Sequence, residues 1–217
     1  MPEKKLIVCD VCDTLYASNT TFDFIRYFVA QQNKFQRLWF TLISARYSPL
    51  FYLLILAGKI FRADLVRTLA IKLLGGLSKE TLTILAFEFH DSFLEKRKNE
   101  KVFSLLEKLK KDGEILLLSS SIDPVINAIA SRNGFQYKSS SLEYEKGLSS
   151  GKLQDDLTGV KHTFLVDLVK DHRQLAVVTD NRSDYELVKM ADERYVVLVS
   201  PKQEKFWEKL KPNFIKP

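Results

Sequence analysis

Asp10, Cys12, Asp13 and Thr14 follow directly on an apolar run, Leu6 to Cys9, near the start of a 217-residue chain. A carboxylate delivered at the end of a short buried strand can act as a nucleophile, which makes Asp10 the first candidate catalytic residue. Three later stretches carry the polar groups that phosphoryl transfer would need. Ser119 and Ser120 close the run Ile115 to Leu118, Lys161 opens a helical segment, and Asp180 follows the run Leu175 to Val178 with Asp184 four residues on. Carboxylates at a strand end and in the first turn of the next helix can face one cation, and Mg²⁺ suits oxygen ligands with few carboxylates. Taken singly these features are ordinary, since a strand-end Asp or Ser commonly caps a turn and a helical Lys is commonly solvated.

Such groups have to be held by an α/β scaffold. The segment TTFDFIRYFVAQQ places Phe22, Ile25, Phe28 and Val29 on one face, with Thr20 as N-cap and Asp23 three residues later, predicting a helix. Helical patterning continues to about Lys98, with a corner at Ser48-Pro49, a helix near Asp64–Leu74, a break at Gly75-Gly76 and a new cap at Ser78. Strands and helices then alternate: a helix ending at Gly113, a strand, and a helix with Pro124 near its start and Gly134 at its end. A hairpin is expected around Gly147 and Gly151, then a helix over 159–171, a strand to Asp180, a helix, a last strand RYVVLVS and a closing helix. The expected fold is α/β, a Rossmann-like, doubly wound, mostly parallel core from residues 1–18 and 99–217, with an all-helical cap inserted over 19–98.

Hydrophobic residues make up 46% of the chain, which describes a folded protein. The two cysteines, Cys9 and Cys12, form a C-x-x-C, but Cys9 belongs to the strand and no second pair exists to complete a zinc site. Packing accounts for Cys9, and a reduced cytoplasmic setting is expected. The opening apolar stretch is too short for a signal peptide. Between Thr20 and Gly75 eight basic residues face two acidic ones, a surplus of six that equals the formal net charge of the whole chain. That field would draw a small phosphorylated substrate or an anionic membrane surface; no nucleic-acid motif accompanies it, and no oligomeric state is specified. Trp39, Phe40, Phe51 and Tyr52 beside Arg37 and Arg46 would face a bilayer carrying a lipid phosphate, or form the cap's own core. The uninterrupted apolar run Pro49 to Ala57 is far shorter than the roughly 20 residues that cross a bilayer.

In order and spacing these residues resemble the haloacid dehalogenase superfamily of phosphatases, over essentially the whole chain. Asp10-Val11-Cys12-Asp13-Thr14 matches its first motif, Ser119 its second, Lys161 its third, and Asp180 with Asp184 its fourth. The long insertion looks like the phosphoserine-phosphatase-like branch, whose helical cap closes over a phosphate ester. The resemblance implies that Asp10 forms an aspartyl-phosphate. Mg²⁺ would be held by Asp10, the Cys12 carbonyl and Asp180, with Asp184 orienting its shell. Phosphate would be bound by Ser119, Ser120, Thr14 and Lys161, the lysine also easing repulsion at Asp10. Cys12 stands where these phosphatases place a second aspartate as general acid and base, and a thiol is a poor substitute. The expected activity is Mg²⁺-dependent phosphomonoester hydrolysis, slow for want of that acid. The alternatives are a phosphotransferase, a phosphate-ligand-binding protein with little turnover, or a lipid-phosphate phosphatase at a membrane surface.

Overall fold

The computed structural model describes residues 5–169 and 174–216. One seven-stranded sheet runs in the order β4-β3-β2-β1-β5-β6-β7. Its strands are β1 (Lys5–Cys9), β2 (Gly113–Ile122), β3 (Gln136–Glu145), β4 (Leu148–Asp155), β5 (Leu175–Thr179), β6 (Glu193–Val197) and β7 (Asn213–Ile215). Neighbours are parallel except β3 and β4, an antiparallel hairpin whose two turn residues, Lys146 and Gly147, both take positive φ. β1 and β5 are covered on both faces, so they read as apolar runs without alternation. Ile7 and Cys9 point into one hydrophobic cluster, Leu6 and Val8 into another on the opposite face.

Helices α1 (Thr20–Ala30), α2 (Lys34–Ser44), α3 (Pro49–Phe61), α4 (Leu65–Ile71), α5 (Lys79–Phe89) and α6 (Glu100–Leu109) lie between β1 and β2. After them come α7 (Asp123–Asn133), α8 (Lys161–Val169), α9 (Tyr185–Met190) and α10 (Pro201–Trp207). The expected helix over 159–171 opens at Lys161, and residues 170 and 171 fall outside the described residues. The closing β7, only three residues long, extends the sheet beyond the strand RYVVLVS that the sequence suggested as the last.

Where the chain leaves and re-enters the sheet, its two strands of linker run side by side. Ala17 donates its N–H to the Arg97 carbonyl (2.9 Å) and Asn99 donates to that of Leu15 (3.0 Å). Asn19, and not Thr20, caps α1, accepting from the Phe22 N–H. α5 packs on α7, and Phe24, Ile25 and Phe89 of the insertion share one hydrophobic cluster with Ile7, Leu117 and Ile126. The insertion is therefore fused to the sheet layer through α1 as well as through α5.

A second tie crosses from α4. Arg67, almost fully buried, donates to both carboxylate oxygens of Asp156 (2.8 Å each), to the Thr158 hydroxyl (2.7 Å), and to the Ser120 carbonyl. Asp156, from outside the stretch, thus neutralises one of its eight cations, so the outward field is weaker by one charge than the sequence suggested. Arg67→Ala is expected to cost about 2 kcal/mol in urea unfolding, because the Ser120 carbonyl and Asp156 lose a charged donor; Arg67→Lys should recover only part of it. A loss under about 0.5 kcal/mol would mark the bridge as an ordinary surface pair.

Candidate active site

β1, β2 and β5 are adjacent and in register, Cys9 lying beside Leu117 and Val178, so their carboxyl ends open at one level. This is the point where the sheet order reverses, the crevice where open α/β sheets bind ligands. Asp10 leaves β1 there, its N–H donating to the Val178 carbonyl (2.9 Å), and its side chain is buried. Val11 then accepts from the N–H groups of both Leu15 and Tyr16, closing a wide turn in which Asp13 takes φ 53° and faces solvent.

Lys161, the first residue of α8, reaches into the same edge. Its Nζ lies 2.8 Å from Asp10 Oδ1 and 3.0 Å from Asp184 Oδ2, with all three side chains at most 5% exposed. Asp184 Oδ2 also accepts from the Thr179 hydroxyl (2.8 Å). Asp184, expected to orient the metal shell, is thus paired here with the lysine. The Thr14 hydroxyl donates to Asp180 Oδ1 (2.8 Å) and accepts from the Asp180 N–H (2.9 Å). Its one proton is committed to Asp180, so Thr14, expected as a phosphate-binding residue, here positions that carboxylate.

Charge explains the electrostatics. Burial, opposed by Lys161 and reinforced by Asp184, pushes the Asp10 carboxyl up to about 6. Burial and the neighbouring Asp10 push Asp180 up to about 7. Burial works against the charge on Lys161, but Asp10 and Asp184 outweigh it and hold the ammonium well above its ordinary value. With all groups ionised, three carboxylates and one ammonium leave a surplus of two negative charges, the charge of one divalent cation. Among the described residues no three His, Cys, Asp or Glu side chains form a metal cage. What fits a cation is the pair Asp10 and Asp180 with main-chain oxygen and water, a donor set suited to Mg²⁺.

On the other side of Asp10, the half-buried Cys12 thiol lies 3.0 Å from the Thr20 hydroxyl. Thr20 and Thr21 both bond Ser121 Oγ (2.8 Å each), and the Ser121 N–H donates to Ser119 Oγ (3.1 Å). Ser119 is fully buried, while Ser120 is half-buried and turns its carbonyl to Arg67. Burial, helped by Asp10, drives the Cys12 thiol up to about 11, so it stays protonated at neutral pH. The structure thus brings Asp10, Cys12, Ser119, Lys161, Asp180 and Asp184 to one edge. Beside them stand Thr20, read from the sequence as a helix N-cap, and Thr21, Ser121 and Arg67, to which the sequence analysis gave no place at the site. The run of three serines, where one would serve as a cap, was the only hint of them.

A family model of haloacid dehalogenase-like hydrolases matches residues 7–189. No curated protein matches the sequence. A Bordetella pertussis protein of unknown function has the same fold at a TM-score of 0.72 and 14% identity, each chain covered over 98%. A HAD family hydrolase from Salmonella enterica serovar Typhi aligns at 0.68 and 17% identity, covering 99% of this chain and 68% of that one. A substrate-bound phosphoserine phosphatase aligns at 0.62 and 16% identity, covering 99% of this chain and 94% of its own. With the matched region spanning most of its length and all three strand ends, the chain belongs to the haloacid dehalogenase-like hydrolases.

Proposed function

We propose that the protein is a Mg²⁺-dependent phosphomonoester hydrolase acting through Asp10, with residues 1–18 and 99–217 as catalytic core and 19–98 as cap. The observation that carries this reading is the buried row Asp10–Lys161–Asp184 beside Asp180, two charges short of neutrality. Fold relatives include phosphoserine phosphatases and a cytosolic 5′-nucleotidase bound to cytidine, which supports a small phosphorylated substrate. The free thiols of Cys9 and Cys12 accord with a reducing, cytoplasmic compartment.

Asp10, Asp180 and the Cys12 carbonyl would hold Mg²⁺, which when bound supplies positive charge to the oxygens of the phosphoryl group. Lys161 keeps Asp10 ionised and, with the Ser119 hydroxyl, offers donors to the incoming anion. An Asp10 oxygen attacks phosphorus, the ester oxygen leaves with the electrons of the broken P–O bond, and an aspartyl-phosphate results. Water then attacks that phosphorus and releases inorganic phosphate, returning Asp10. Both halves need a group to give or take a proton, and Cys12, kept a neutral thiol by burial and the neighbouring Asp10, meets the need poorly. The same observation favours the second reading, in which the protein binds or transfers phosphate with little hydrolysis.

Three outcomes test this. Asp10→Asn is expected to reduce Mg²⁺-dependent phosphate release from a metabolite panel to background; unchanged release would refute the nucleophile. Cys12→Asp should raise kcat by on the order of 10²–10⁴-fold, measured on the same ester, and a slower variant would assign the thiol a positive role. Lastly, pH and metal are linked. Asp10 and Asp180 hold protons in the native state, to about 6 and about 7, that the unfolded chain has already released near 4. The metal-free protein should therefore lose stability as pH rises through that window. Mg²⁺ must displace those protons, so its thermal stabilisation should be larger at about pH 8 than at about pH 5; equal shifts would count against the ligand pair.

A further inference from the structure

Helices α2 and α3, bent by 57° at their break, form an elbow that the rest of the protein barely covers. Of the thirteen residues of α3, PLFYLLILAGKIF, only Gly58 is buried, and in α2 only Phe40 and Ile43 are. Among the described residues, eleven of the nineteen exposed large apolar side chains lie between Phe35 and Phe61, with Phe35 83% and Phe61 72% exposed. Soluble monomers rarely leave apolar surface contiguous on this scale.

The sequence offered Trp39, Phe40, Phe51 and Tyr52 either as cap core or as a membrane face. The structure divides them: Phe40 is buried, Phe51 half-buried, Trp39 and Tyr52 exposed. Around α3 the exposed residues from Tyr52 to Phe61 sweep roughly 240° at 100° per residue, far wider than the stripe of about 100° that one protein groove covers. An occupant that surrounds the helix fits better than one that meets a single side.

Charge narrows the occupant. No acidic residue occurs between Asp23 and Asp64, whereas Arg26, Lys34, Arg37, Arg46, Lys59 and Arg62 all fall there. Apart from Arg26, none pairs with a carboxylate among the described residues. A second copy docked on the same face would set these cations against their equivalents. Between α1 and α2 a cavity of about 510 Å³ opens among Arg26, Arg37, Arg46 and Tyr47, large enough for an anionic headgroup.

Among the described residues no single helix is long and apolar enough to cross a membrane; α2 and α3 together meet that test, but bent by 57° at their break. The break holds Arg46, costly at a bilayer centre, and α3 alone measures only about 20 Å against a hydrocarbon core of about 30 Å. The elbow is therefore built to lie in the interface, with aromatic rings at headgroup level and cations facing lipid phosphate.

We infer that the α2–α3 elbow is a docking surface for an anionic lipid bilayer, partly inserted, with a lipid headgroup in the Arg26–Arg37–Arg46 cavity. The inference stands apart from the chemistry at Asp10, and Asp10→Asn protein should bind vesicles unchanged.

Co-sedimentation of the full chain with phosphatidylcholine vesicles, with and without phosphatidylglycerol, tests it. Strong, salt-sensitive binding to the anionic vesicles is expected, falling at least about tenfold on pure phosphatidylcholine. Brominated lipid should quench Trp39 and spare the fully buried Trp207. Ile60→Glu with Phe61→Glu, on fully formed exposed positions, should cut binding about tenfold while leaving the thermal melt in place; Arg37→Glu with Arg46→Glu should remove the salt-sensitive part. No binding to anionic vesicles at low salt would overturn the inference. So would a dimer in sedimentation equilibrium that depends on this elbow, or capture by a purely acidic protein with vesicles ignored.

Discussion

The Lys161 ammonium, wedged between Asp10 and Asp184 and out of contact with water, is the interaction on which the rest of the molecule depends. A buried carboxylate is tolerated only when paired and hydrogen-bonded, and removing one partner of such a set leaves the other stranded at a cost of several kcal/mol. Each neighbour can be understood as a support for that pairing. Thr179 fixes Asp184 so that it can fix the lysine, and Thr14 fixes Asp180 through both its oxygen and its main-chain N–H. The parallel register of β1 with β2 and β5 is what lets residues 10, 119 and 180 share an edge at all.

The strands were readable because sheets covered on both faces demand unbroken apolar runs, and β1, β2 and β5 have them. Asp10, Ser119, Lys161, Asp180 and Asp184 were readable because each sits where such a run ends or a helix begins. Their partners were not. Thr20 looked like a helix cap because capping and site-lining use the same short hydroxyl side chain; Asn19 caps and Thr20 turns inward to Cys12 and Ser121. Arg67 looked like one more surface cation because its partner, Asp156, lies 89 residues away, beyond any periodicity. β7 is three residues long and gains its place only by pairing with β6.

The helical insertion answers two demands with different parts of its sequence. Its first and last parts contribute Phe24, Ile25 and Phe89 to the cluster under the sheet and behave as core. Between them, α2 and α3 hold apolar residues on the outside, a pattern that burial within a single chain does not explain. The run Pro49 to Ala57, too short to span, is long enough to lie flat.

The paired linkers and the Arg67 tie have one further consequence. Because Ala17 and Asn99 stitch the two crossings together, and α5 is rooted on α7, the insertion has no loose stalk about which to swing as a unit. The segment from α1 to α4 is pinned as well, by Thr20 and Thr21 at Ser121 and by Arg67 at Asp156 and Ser120. Any outward swing of that segment would have to break both sets of bonds together, a concerted cost that a one-point hinge does not impose.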